Sequence, residues 1–95
     1  MSWQIKQIDN EAEVVILDCP MLDWDNFPVQ AELLLEGWEL HLRERESGAD
    51  RHSWRLAFEG SLFRLEYEHY SGCWLAAEQP VDWQVLQWLA RQHKD

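Results

Sequence analysis

Ninety-five residues with eighteen acids against eight bases give a net charge of −10. That balance argues against a nucleic-acid partner, whose phosphates demand clustered Lys and Arg, and no apolar run approaches membrane-spanning length. The length suits one domain over residues 1–95, and 46% hydrophobic content with seven Trp suffices for a core without a metal or a disulfide staple.

Met1–Lys6 lacks the basic flank and apolar run of a secretion signal. Cys19 and Cys73 fit no CxxC pattern, so the expectation is a cytoplasmic protein with two reduced thiols. The charge is uneven: residues 1–37 hold −7, residues 38–79 hold −3, and residues 80–95 are neutral. An acidic N-terminal third suits a basic protein partner, although solubility is the simpler explanation.

Trp3–Ile8 and Glu13–Asp18 read as strands around an Asp9-Asn10-Glu11 turn. Val14 to Leu17 is a continuous aliphatic run, as in a strand covered on both faces or placed centrally, and Cys19-Pro20 ends it. Asp23–Glu36 reads as a helix. Pro28 is tolerated only in a first turn, so regular geometry begins near Asn26 or Phe27, and Gly37 supplies the stop. Trp24, Phe27, Ala31, Leu34 and Leu35 form its core stripe. Val29 and Leu33 project from the other side, which implies a second cover: the N-terminal hairpin, or another copy of the chain.

Between Trp38 and Ala77 apolar and polar residues alternate with a period of two, the signature of a meander with one apolar face. A Ser47-Gly48-Ala49 turn pairs Leu42 with Trp54, Leu40 with Leu56 and Trp38 with Phe58. A Glu59-Gly60 turn pairs Leu56 with Phe63 and Trp54 with Leu65. A Ser71-Gly72 turn pairs Tyr67 with Ala76 and His69 with Trp74. Pro80 opens a last helix to about His93, with Val81, Val85, Leu86, Trp88 and Leu89 facing the core and Trp83 and Ala90 outside that arc. The fold class is α+β: an antiparallel sheet in the order β-β-α-β-β-β-β-α, with two helices on one face.

No phosphate-binding glycine loop, HExxH helix or GxSxG elbow is present. The best titratable group is Glu44, His52, Tyr67 and His69, which this register gathers on the apolar face. A carboxylate beside an imidazole and a phenol suits general acid–base work, and two His with a Glu suit a metal. The simpler reading is a polar rim where the helices stop covering the sheet. No cofactor is implied. No metal is expected either, since His41 and His52 fall on opposite faces and the cysteines lack ligand spacing. Cys73 beside a turn, paired with Tyr70 on the outer face, has no clear base partner; Cys19 reads as a core residue.

The outer face is the other candidate. Arg43, Arg45, Arg51, Arg55 and Arg64 all project there in this register, with Glu39, Glu66, Glu68, His41, Ser53, Leu62, Tyr70 and Leu75. A local charge of +2 on a −10 chain suits either a solvated lattice of Arg–Glu pairs or a docking surface with Arg and Tyr anchors.

The segment Phe63-Arg64-Leu65-Glu66-Tyr67-Glu68-His69-Tyr70-Ser71, followed by Trp74-Leu75 and a terminal helix with Trp88-Leu89, resembles a family of small bacterial proteins of unknown function. The resemblance implies an uncharacterised bacterial single-domain protein. No catalytic motif defines that family, so no site residue is carried over. The combined expectation is a non-enzymatic domain that binds another protein or itself. The alternatives are a small enzyme or metal site at Glu44/His52/Tyr67/His69, and an acidic inhibitor or immunity-type protein that masks a basic partner.

Overall fold

A computed structural model of the chain describes residues 3–94. The strands are β1 (Gln4–Asp9), β2 (Val14–Asp18), β3 (His41–Ser47), β4 (Arg51–Phe58), β5 (Ser61–Glu68) and β6 (Gly72–Ala77); the helices are α1 (Phe27–Trp38) and α2 (Pro80–His93). They form one antiparallel sheet in the order β1-β2-β6-β5-β4-β3, with both helices on its apolar face. β2 sits inside the sheet, which accounts for its unbroken aliphatic run: Val15 and Leu17 are buried inward, while Val14 and Ile16 are half-buried on the other side. β1 and β3 are the two edges.

The β4–β5 hairpin has the expected register, with Trp54 opposite Leu65 and Leu56 opposite Phe63. Glu59 and Gly60 both have positive φ, 48° and 90°, so the loop is a two-residue turn whose twist matches the strands. All four of those inward side chains are buried. This hairpin is the centre of the core.

The other two hairpins differ from the expectation by an odd number of residues, which turns side chains over. In β3–β4 the loop is Gly48–Asp50, closed by the Gly48 amide donating to the Arg51 carbonyl, and Ser47 pairs with His52. Glu44 therefore meets Arg55 rather than His52, and an irregularity at Arg43 then brings Leu42 opposite Leu56 rather than Trp54. In β5–β6 the loop is His69-Tyr70-Ser71, followed by Gly72 at φ 96°. This is a three-residue loop closed by a glycine in the left-handed region. Tyr67 pairs with Cys73 and Leu65 with Leu75, so Cys73 and Leu75 are buried inward and Trp74 and Ala76 face out, the reverse of the expectation.

Trp38 is helical rather than a strand residue. Gly37 does not end α1; Glu39 does, at φ 59°, with its amide donating to the Glu36 carbonyl and the Leu40 amide to the Leu35 carbonyl. That pair of bonds is the Schellman arrangement, and Leu35 and Leu40 are both buried beside it. The two additional helical residues seat Trp38 in the core, stacked on His93 at 4.6 Å. The α2 stripe is rotated as well. Trp83, Leu86, Leu89 and Ala90 are buried, whereas Val81 is 67% and Trp88 56% exposed. Ala90 and Trp83 both belong to the core cluster.

Candidate functional site

His52 and Tyr67 lie side by side on the inner face, as their pairing requires. His52 is buried between two rings, Trp24 and Phe27, each with its centroid 4.7 Å away. Its Nε2 lies 2.9 Å from the Trp24 carbonyl; a carbonyl only accepts, so Nε2–H is the donor. Tyr67 is buried against Phe27, and burial raises its phenol above the usual range, with Asp23 and Cys73 adding to the shift. The imidazole is thus a packed ring tied to a loop carbonyl.

The other two members of the quartet are elsewhere. The register set by the Gly48–Asp50 loop turns Glu44 to the outer face, opposite Arg55, instead of beside His52. His69 lies in the β5–β6 loop, exposed, with its ring edge-on to Tyr70 at 4.6 Å. His52 and His69 also line different depressions. One, of about 330 Å³, holds Trp24, Asp25, Arg45, Ser47 and Trp54 around His52. The other, of about 300 Å³, holds Lys6, Asp18, Cys19, Tyr67 and Cys73 around His69. Among the described residues no three His, Cys, Asp or Glu side chains come together as metal ligands. Cys73 is buried on the inner face, and loss of solvation drives its thiol pKa far up; Cys19 is shifted the same way by burial and Asp18.

The outer face holds Arg51, Arg55 and Arg64, whose pairs are Glu68, Arg64 and Arg55 in β5 and β4. Arg55 and Arg64 are directly opposed like charges. Glu78 bridges them: its carboxylate accepts from Arg55 Nε at 2.7 Å and lies 3.5 Å from Arg64 Nε. Arg64 also donates to Ser53 Oγ, which in turn donates to Glu66. Glu78 and Glu44 hold the Arg55 guanidinium more firmly charged than usual. Arg45 is not on this face. It pairs with Trp54 and lies over the indole, 5.3 Å from the ring centroid, on the helix side. Arg43 is at the irregularity, and Tyr70 is 89% exposed at a loop tip. Glu44 and Glu46 take outer positions, so the local positive surplus disappears.

Composition and periodicity did not single out the surface beside β3. Val29, Leu33 and Leu42 are 65%, 47% and 41% exposed. The N-terminal hairpin does not cover α1's second apolar side; β1 and β2 add to the far end of the sheet instead. Pro28, Val29, Glu32, Leu33, Glu36 and Arg45 line a trough of about 430 Å³ between α1 and β3. Every residue of β3 is exposed, and among the described residues no strand lies beside its outer edge. The two-sided apolar pattern of α1 was the available signal; the edge position of β3 was the missing part.

No helix among the described residues is long and apolar enough to cross a membrane. A family model described as "Protein of unknown function (DUF3630)" matches residues 3–94. No curated protein and no solved structure matches the chain.

Proposed function

We propose, for a chain that belongs to the DUF3630 family of proteins of unknown function, that it is a non-enzymatic domain that binds another protein through the α1–β3 side. The observation that carries this reading is the pair Val29 and Leu33, exposed on the trough between α1 and β3, with Leu42 exposed on the open edge strand itself. Exposed apolar groups that line up beside unpaired backbone are how interaction sites differ from scattered surface residues. The separation of Glu44 and His69 from His52 removes the arrangement that favoured acid–base chemistry. A bacterial cytoplasm, with Cys19 and Cys73 as thiols, is the setting this proposal assumes.

A photo-crosslinking residue placed at Leu33, and separately at Leu62 on the outer face, tests it in cells. The expected result is a discrete protein adduct from position 33 and none from position 62. Equal labelling at both positions, or none at 33, overturns the reading.

A further inference from the structure

We infer that the occupant of this side is an extended segment of another protein, added antiparallel to the β3 edge, with basic residues alternating with apolar ones. The inference rests on the proposed binding role and specifies its partner.

The argument begins with the faces of β3. Glu44 and Glu46 point outward, opposite Arg55 and Ser53; Arg45 and Ser47 point to the helix side, opposite Trp54 and His52. Directly paired residues of antiparallel strands share a face. A second copy of β3, related by a two-fold axis, must therefore pair outward residues with outward residues. Registers centred on residues 44 to 46 set Glu44 against Glu44 or Glu46, Glu46 against Glu46, or Arg45 against Arg45; those centred on Leu42 or Ser47 overlap only at an end of the strand. Each of the central registers opposes like charges, which disfavours self-pairing at this edge.

A foreign strand meets different chemistry. Its outward residues face Glu44 and Glu46; among the described residues neither is in an ion pair. Lys or Arg suits those positions. Its inward residues lie over Leu42 and into the trough between Val29, Leu33 and Arg45, where apolar side chains are accommodated. Arg45 is already drawn over Trp54 and does not block that row. Backbone bonds along the edge supply affinity, and the alternating side chains supply selection.

The test uses synthetic peptides of roughly nine residues, enough to span the strand at about 3.4 Å per residue. One alternates Lys and Val, one has the same composition scrambled, and one alternates Glu and Val. Binding is followed by NMR titration and by hydrogen exchange of the β3 amides that point away from β4. The expected result is binding of the Lys/Val peptide, new protection along β3, and loss of both in a V29E/L33E variant that retains its native spectrum. In an E44R/E46R variant the Lys/Val affinity should fall roughly tenfold and the Glu/Val peptide should become the better ligand. Equal binding of the scrambled peptide, protection at β1 instead, an unchanged preference after charge reversal, or a stable dimer paired through β3 overturns the inference. If no peptide binds but position 33 still crosslinks, the partner chemistry is wrong and the binding role stands; if both fail, both fall.

Discussion

His52 and Trp24 hold each other in place: the His52 imidazole donates to the Trp24 carbonyl at 2.9 Å and stacks on its indole, while the indole Nε1 donates to the Gly48 carbonyl at 2.9 Å. One residue of the β2–α1 connection is thereby fastened to the start of β4 by its backbone and to the β3–β4 turn by its side chain. The clasp explains a buried histidine without assigning it chemistry.

Removing the ring should loosen both ends of the clasp. His52→Ala is expected to cost about 2–4 kcal/mol, a cavity plus a lost hydrogen bond. His52→Phe keeps the stack and loses only the bond, at about 1 kcal/mol. Urea unfolding of both variants checks the ordering; a larger loss in the Phe variant would contradict a packing role.

Trp54 lies on β4, one strand in from the β3 edge, 1% exposed, between Phe27 edge-on and Arg45 over its face. Trp54→Ala should destabilise the protein by about 3–5 kcal/mol. Chemical denaturation measures it, and a loss of under about 1 kcal/mol, typical of surface changes, would refute this core.

Glu78 separates two opposed arginines. Glu78→Gln should lower the melting temperature, because Arg55 and Arg64 then face each other without a bridging carboxylate. The deficit should shrink at high salt, where the exposed guanidiniums are screened. A deficit independent of ionic strength would mean that Glu78 acts through packing.

The buried Cys73 thiol predicts alkaline lability. In the unfolded chain a thiol ionises near about pH 8.5; in the folded protein burial keeps Cys73 protonated well above that. The folded state then holds more protons, so this contribution to stability is complete below the unfolded value and declines as pH rises past it. Denaturation midpoints from pH 7 to pH 10 should fall, and less steeply in Cys73→Ala. Tyr67 and Cys19, shifted the same way, add to the residual slope.

The protein as isolated should carry no stoichiometric transition metal, since His52 is engaged with Trp24 and His69 opens onto a different depression. Elemental analysis is the check. About one equivalent of zinc per chain would contradict it, a structural site needing around four ligands.

Where a local device leaves one answer, the sequence by itself determined the structure. Glu59-Gly60 admits a two-residue turn between two alternating runs, and the β4–β5 rungs follow, including His52 beside Tyr67. The element order and Pro80 at the start of α2 were legible for the same reason. The other turns offered several small polar residues in a row, and local chemistry does not rank the resulting registers. Tertiary contacts did. The Trp24 indole draws the Gly48 carbonyl into place, which accompanies Ser47 opposite His52 and, in the same register, Glu44 facing outward opposite Arg55. Side chains alternate with a period of two, so an odd slip in one loop exchanged inside for outside along a strand. That dispersed the candidate acid–base group and moved Arg45 off the outer face. The β1–β2 hairpin joined the sheet beside β6 and left Val29 and Leu33 beside an open edge, a matter of long-range strand order that no local pattern encodes.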